Sequence, residues 1–543
     1  MGTTLQQLPI GIQGFEKIRE SGFLYVDKTR QVYDLTHTNQ YFFLSRPRRF
    51  GKSLLLSTIK CYYEGKRELF DGLYIATVEN DWKKHPVLYL DLNTEKYDRP
   101  EVLDQILNEL LCEWERLYGK CPEEIGLGRR FQGVIRRAHE KTGLRTVILV
   151  DEYDKPMLQA IGNPELQDAY RNTLKGFYGA LKSMDEHIQF AMLTGVTKFG
   201  KVSVFSDLNN LMDISMDLRY YDICGITDQE LLTNFPDQIA RLAEANGMTH
   251  DECVAQLRHR YDGYHFEETA PGIYNPFSLL NTFQKLKFGS YWFETGTPSY
   301  LAYLLRTHNY NLEQMATCQT SAKVLDSIDA SSSDPIPVIY QSGYLTIKGY
   351  NKEFGTYQLG FPNLEVEAGF VDYLMAYYTP LKDSETAFSI QNFVLDVRSG
   401  RTEQFLERLR SLFADTPYEL VKDLENHYQN DAQSELPKAC FQGRTEASSW
   451  TQVHNVVWIV AKLMGFYVQA EYRTSRGRID LVLKAPKYCY VMEFKLDGTA
   501  EEALAQIKDR NYTLPFQLDG QQIIRVGLNF SKEHRNIERY VVE

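Results

Sequence analysis

Short apolar runs alternate with helix-period patterns over roughly the first 200 residues, the signature of a parallel sheet with helices on both faces. The runs Tyr41 to Leu44, Val87 to Leu92, Thr146 to Val150 and Ile188 to Thr194 are the predicted strands. Between them Leu103, Ile106, Leu107, Leu110, Leu111, Trp114 and Leu117 recur at 3.6-residue spacing and predict an amphipathic helix; a less regular one covers 165 to 184. From about 220 to 375 the pattern becomes helices broken by aromatic-rich turns, RYDGYHF (260 to 266) and IYNPFSLL (273 to 280). The blocks 337 to 350 and 357 to 363 read as a β-hairpin that, with the helices before it, would make a winged-helix-like unit.

DASSSDP (329 to 335) reads as a loop, a boundary falls near 380 to 400, and helices run on to about 465. Three strand patterns then follow, YVQAEYRT, RIDLVLKA and CYVMEFKL, with a helix at 501 to 511 and a closing strand IIRVGLNF. There is no internal repeat and no low-complexity tract. The division expected is 1–220, 221–380 and 381–543.

Composition narrows the class. A chain of 543 residues exceeds one core. With 43% hydrophobic and 24% charged residues it is ordinary for a soluble protein, and no segment reaches the roughly 18 uninterrupted apolar residues of a membrane span. The most apolar stretch, Val456 to Met464, is broken by Lys462 and reads as a buried helix. MGTTLQQLPIGIQ has no basic start or apolar core of a secretory signal, so a cytoplasmic protein is expected. The eight cysteines form no CxxC pair or zinc-like spacing, and a net charge of −12 excludes bulk attraction to nucleic acid; any such contact needs a local basic groove.

Candidate chemistry begins at YFFLSRPRRFGKSLLLSTIKCYY, a strand, a turn and a helix opening at Gly51-Lys52-Ser53. A phosphate-binding loop needs this order, because the free amides of the helix start face the phosphates while the lysine reaches their outer oxygens and the serine ligands Mg²⁺. Arg48, Arg49, Phe50, Gly51, Lys52, Ser53 and Leu54 are therefore the expected cofactor-binding run, although Arg46 stands where the usual pattern has its first glycine. About 100 residues on, TVILVDEYDKP ends a strand in Asp151, suited to hold Mg²⁺, and Glu152, suited to polarise the attacking water. Thr194, ending the next strand, is either a γ-phosphate sensor or an ordinary strand-terminal threonine. Arg48 and Arg49 either offset transition-state charge or pair with surface acids.

LPIGIQGFEKIRESGFLYVDKT, RPRRFGKSLL and VILVDEYDKP together resemble the bacterial AAA-ATPase-like family over roughly residues 5 to 230. The resemblance implies an ATP-binding P-loop NTPase domain of the ASCE/AAA-like kind, with Lys52, Ser53, Asp151 and Glu152 at the family's motif positions. YVDKT (25 to 29) also matches, either lining the nucleotide pocket or packing the first helix.

Near the C-terminus, alternation along CYVMEFKL puts Glu493 and Lys495 on one strand face, which Asp480 of the adjoining strand can approach. Two carboxylates and a lysine around one space can hold a divalent cation and orient a water at a phosphodiester. Arg473, Arg476, Arg478 and Lys484 form either a backbone-binding strip or a solvated face. AEYRTSRGRIDLVLKAP through VMEFKLDGTAEEALAQIKDRNY resembles the PD-(D/E)XK nuclease superfamily, covering about 430 to 535. That resemblance implies a restriction-endonuclease-like α/β domain cleaving DNA or RNA with Mg²⁺ or Mn²⁺. Many members also place an acid on the first helix; here Gln452 and His454 occupy that region and Glu446 lies only near its start.

The expected protein is thus an α/β multidomain chain with a P-loop parallel sheet, a mainly helical middle domain and a nuclease-like C-terminal domain. ATP and Mg²⁺ or Mn²⁺ are its expected cofactors and nucleic acid its partner, DNA ahead of RNA, with no membrane. ATP-regulated nucleic-acid cleavage is the expected function; the rival is a nucleotide-dependent switch whose nuclease fold is an inactive binding module.

Overall fold

The four apolar runs of the N-terminal part form strands of one sheet: β1 (Tyr41–Ser45), β2 (Val87–Asp91), β3 (Thr146–Asp151) and β4 (Ile188–Gly195). In this computed structural model a short β5 (Met212–Asp213) completes the order β2-β3-β4-β1-β5, with every pairing parallel. Every residue of β3 is buried, as expected when helices cover both faces. The structure describes residues 6–93, 95–198, 210–294, 319–325, 335–378, 392–414, 460, 467–474, 477–517, 520–531, 533–534 and 536–543. The described residues up to Glu367 make one compact unit and those from Ala368 a second.

The amphipathic helix forms as Pro100–Tyr118, buried through Leu103, Ile106, Leu107, Leu111 and Trp114. Leu110 is only half-buried, and Leu117 is 59% exposed because it lies in the last turn, past the face that packs. Helix Pro164–Ser183 also forms, capped by Asn163. A third helix, Leu127–Thr142, is only weakly marked in the sequence, because its arginine-rich surface dilutes an apolar face made of Phe131, Val134, Ile135 and Ala138.

Beyond the sheet, helices Asp228–Asn234, Pro236–Asn246, His250–Tyr261 and Pro276–Lys285 pack around Leu231, Phe235, Ile239, Leu257 and Leu279. Thr227 with Glu230, and Thr249 with Glu252, close capping boxes at two of the starts. IYNPFSLL is a helix start rather than a turn: Asn275 caps it and Pro276 takes the first helical position, where its missing N–H costs nothing. The predicted hairpin is β7 (Thr346–Asn351) with β8 (Thr356–Gly360), joined by β6 (Gln319–Ser321) in the order β6-β8-β7. Its supposed first part is instead the helix Ile336–Gln341, since Pro337 suits a first helical turn and cannot donate to a strand ladder.

In the second unit β9 (Tyr467–Thr474), β10 (Gly477–Lys484) and β11 (Tyr488–Leu496) run antiparallel, and β12 (Gln522–Ser531) lies parallel to β11 after the crossover helix Ala500–Asp509. The sheet does not close at IIRVGLNF: β13 (Asn536–Val542) adds an outer antiparallel strand, its polar residues hiding the pattern. The loop at 329 to 334, the boundary near 380, most of the helical lead-in and all but Val460 of the 456 to 464 stretch lie outside the described residues. Among the described residues no helix is long and apolar enough to cross a membrane.

Candidate active sites

Parallel strands carry their loops to one end, so the turns after β1, β3 and β4 converge there. Helix Lys52–Tyr63 starts directly after the first turn, from Gly51 at φ 99°, a left-handed backbone that glycine adopts without Cβ strain. Lys52 is buried; its Nζ donates to the carbonyls of Arg46 at 3.0 Å and Pro47 at 3.3 Å and sits 3.4 Å from Glu152 Oε1. Asp151, at the end of β3, accepts from Thr194 Oγ1 at 2.8 Å and also hydrogen-bonds the Ser53 hydroxyl. Burial raises its pKa while the Ser53 and Thr194 hydroxyls and Lys52 pull it down. Glu152 follows at φ 51°, a costly backbone for a residue with a Cβ.

A cavity of 510 Å³ opens beside these groups, a volume typical of small-ligand sites. Arg48, Arg49, Gly51, Lys52, Ser53, Leu54 and Glu152 line one part, while Ile12, Phe277 and Leu280 give it an apolar side. The run read from sequence is therefore gathered at one place, with three distinctions. The Phe50 ring turns away into the core, edge-on to Tyr264 at 4.8 Å and Phe266 at 5.4 Å. Asp151 and Thr194 lie behind Ser53 rather than on the cavity wall, Thr194 fully buried. Arg49 sits over the Phe277 ring at 5.1 Å. An anionic ligand with an apolar end and Mg²⁺ fit this donor set: a lysine, a helix start, and a serine hydroxyl backed by a carboxylate.

Arg46 explains how the loop dispenses with its usual first glycine. The residue is 1% exposed and is not among the positive-φ positions, so its backbone makes no demand for glycine. Its guanidinium donates to the carbonyls of Ser45 at 2.9 Å, Ser215 at 2.7 Å and Tyr220 at 3.1 Å, and lies 4.0 Å over the Phe266 ring. Burial pulls its pKa down to about 10, which leaves it charged at neutral pH.

The second constellation forms where β10 and β11 part. The register Leu481↔Met492 leads next to Asp480 and Glu493, and there side chains replace the ladder. Phe494 N donates to Asp480 Oδ2 at 2.8 Å, and Asp480 N approaches Glu493 Oε2 at 3.4 Å. Gln506, from the crossover helix, bridges Glu493 Oε1 and Lys495 Nζ, and Lys495 Nζ lies 4.0 Å from Glu493 Oε1. Burial first, then the Asp480 charge, push the Glu493 carboxyl up to about 8. Two crowded carboxylates, each raising the cost of charging the other, are the donor chemistry that suits a divalent cation. Of the basic strip, Arg478 is exposed and in register with Arg473, Lys484 caps the Phe516 ring at 4.9 Å, and Arg476 lies outside the described residues, as do Glu446, Gln452 and His454.

Residues 9–205 match the family model described as a predicted AAA-ATPase, and residues 451–540 match the PD-(D/E)XK nuclease superfamily. An Azotobacter chroococcum mcd 1 protein, described as an uncharacterized protein in the vnfD 5' region, is 35% identical over 546 residues, covering 99% of each chain. The chain belongs to this bacterial family, which joins an AAA-ATPase-like domain to a PD-(D/E)XK nuclease superfamily domain.

Within this AAA-ATPase-like protein the motif residues all lie in the matched span, but much of what holds them does not. Ser215, Tyr220, Tyr264, Phe266 and Phe277 follow it in sequence. A local motif gives no sign of such partners. Asp154, within VDEYDKP, is a further residue of the site that the motif pattern does not single out. Fully buried, it accepts from the backbone of Val196 at 3.1 Å and Thr197 at 2.6 Å, tying the turn after β3 to the turn after β4. A third acid so near a strand end was the available signal.

Proposed function

We propose that the chain binds ATP with Mg²⁺ in the cavity beside Lys52 and hydrolyses it, and that its nuclease domain cleaves nucleic-acid phosphodiesters, DNA ahead of RNA, under control of the nucleotide. The observation carrying the reading is that Lys52, Ser53 and Glu152 border one ligand-sized cavity with Asp151 directly behind, while Asp480, Glu493 and Lys495 share a second space. Lys52 and the first amides of its helix would hold the β- and γ-phosphates, Arg48 and Arg49 offset their charge, and Ile12, Phe277 and Leu280 cover the base. Ser53 and Asp151 would hold Mg²⁺, Glu152 would orient the attacking water, and Thr194 would fix the Asp151 carboxylate.

In the nuclease domain Asp480 and Glu493 would hold Mg²⁺ or Mn²⁺, which supplies charge neutralisation at the scissile phosphate and a more acidic water. Lys495, steadied by Gln506, would then stabilise the developing negative charge. Incubation with supercoiled, linear and single-stranded DNA and with RNA, each with and without Mn²⁺ and ATP, tests the reading. Metal-dependent cleavage altered by ATP supports it, and no cleavage of any substrate overturns the nuclease half.

A second reading, a nucleotide-dependent switch with a binding-only nuclease fold, draws on the acid count: among the described residues no group of three or more metal-ligating side chains occurs. Nucleic-acid binding without cleavage would favour it.

A further inference from the structure

The loop Arg46 to Gly51 is held by hydrogen bonds from outside at every second residue, Arg46, Arg48 and Phe50. Beyond the Arg46 contacts, the Phe50 carbonyl accepts from Gly225 N at 3.0 Å, and the Arg48 carbonyl accepts from the Trp292 indole Nε1 at 3.0 Å. Gly225 has φ 90°, and a Cβ there would stand 2.2 Å from Ile273, so nothing larger can bring its N–H this close. Trp292 is itself fixed: its backbone N donates to the buried Glu365 carboxylate at 2.8 Å, and its ring packs on Tyr344 at 5.2 Å.

These outward bonds have an inward consequence. In a trans peptide the C=O of one residue and the N–H of the next point in opposite directions. A carbonyl of Arg48 held toward Trp292 turns the Arg49 N–H the other way, and a Phe50 carbonyl held toward Gly225 does the same for the Gly51 N–H. Arg49 and Gly51 both border the 510 Å³ cavity, whereas Trp292 and Gly225 do not. Backbone amides already aimed at an anion bind it without a reorganisation cost.

We propose that Trp292 is a positioning residue of the nucleotide site, whose indole N–H holds the Arg48 carbonyl outward and so aims the Arg49 amide at the phosphates. The proposal rests on the reading of this cavity as a triphosphate site and adds the residue that sets its backbone. It also accounts for a phosphate loop of RPRRF sequence: external donors fix the peptide planes that glycines would otherwise leave free to turn.

The test is binding of ATP, inorganic tripolyphosphate and adenosine by calorimetry or competition, with thermal unfolding alongside, for the parent, Lys52→Ala and Trp292→Phe. Trp292→Phe keeps an aromatic ring against Tyr344 and removes the donor. ATP and tripolyphosphate should both weaken roughly 5- to 10-fold, as loss of one hydrogen bond predicts, while adenosine is held as before. Replacing Trp292 with its benzothiophene analogue, sulfur in place of the indole N–H, repeats the measurement with ring shape conserved should Trp292→Phe fold poorly. Unchanged ATP affinity in a parent-like fold, or an equal loss for adenosine, overturns the positioning role alone. A parent that binds neither ATP nor tripolyphosphate, or a Lys52→Ala variant that binds them as well as the parent, overturns the nucleotide reading beneath it.

Discussion

Arg46→Gly would restore the usual first glycine of a phosphate loop, and the structure says that the restoration does harm. Position 46 has no positive φ to relieve, so the glycine adds only unfolded-chain entropy, about 0.5–1 kcal/mol of destabilisation. The larger loss is chemical: the carbonyls of Ser45, Ser215 and Tyr220 all lose a charged donor. A buried acceptor left unsatisfied costs roughly 1–3 kcal/mol, so three set an upper range of about 3–9 kcal/mol. Water can recover part of it, because a cavity of 50 Å³ already adjoins Ser45, Arg46 and Ser215. The net expectation is a destabilisation of about 3–5 kcal/mol, the usual cost of removing one side of a buried charged network. By calorimetry the unfolding transition of the ATPase-like unit should fall by roughly 6–10 °C, taking about 2 °C per kcal/mol for a unit this large. ATP affinity should fall with it, because the residue-46 carbonyl that accepts from Lys52 Nζ is no longer held in place by the guanidinium's bonds to Ser215 and Tyr220. A variant as stable as the parent, or one that binds ATP more tightly, would refute the view that this arginine replaces glycine by anchoring.

Four further outcomes are expected. Lys52→Ala should weaken ATP binding about tenfold or more, on the order of 1.4 kcal/mol per decade, checked by calorimetry. Asp480→Ala should abolish metal-dependent cleavage while leaving ATP affinity at the parent's value, read by gel assay and titration on the same preparation. Asp154, raised from 3.8 to about 6 by burial and then by the Glu152 charge, holds its proton more tightly folded than unfolded; the stability this contributes is full below 3.8 and is lost as pH rises through about 6, so Asp154→Asn should flatten that part of the melting-temperature profile. If nucleotide and nucleic acid are coupled, saturating DNA should change the ATP affinity of a Glu152→Gln, Asp480→Ala variant by the same factor as ATP changes its DNA affinity; identical ATP affinities with and without bound DNA would mean that the modules are merely joined.

What was legible in the sequence is what local pattern encodes. β3 is a fully buried apolar run ending in acids, so its position and its cargo, Asp151 and Glu152, could be read together. β10 and β11 are short strand patterns joined by one turn, so an antiparallel pairing that brings Asp480 toward Glu493 is legible although both strands are largely buried rather than alternating. Helix Leu127–Thr142 escaped because five of its sixteen residues are arginine or lysine, three of them among the arginines that pair with Glu115 and Glu124 rather than mark a free surface. Helix Pro276–Lys285 was misread because Asn-Pro signals a turn as readily as a cap and first helical position. The anchors of the loop Arg46 to Gly51 are invisible for another reason: Trp292 meets Arg48 across 244 residues, and no periodicity spans that gap.

Strain and anchoring explain each other at this site. Two of the five described non-glycine residues with positive φ, Arg49 at 66° and Glu152 at 51°, border the same cavity. Each left-handed residue costs roughly 1–2 kcal/mol, and such a cost persists only where neighbours over-determine the backbone. Arg49 lies between two externally held carbonyls, those of Arg48 and Phe50, with its side chain over Phe277. Glu152 lies between Asp151, locked by Thr194, and Tyr153, whose N–H donates to the Thr194 carbonyl at 3.0 Å. A glycine at either place would remove the strain, but it would also remove the side chain that faces the cavity and let the peptide planes turn. Keeping arginine and glutamate there requires rigid surroundings, and the aromatic residues of 264 to 292 supply them for the loop. The region beyond the sheet is therefore part of this cavity's construction, although it carries none of the motif residues.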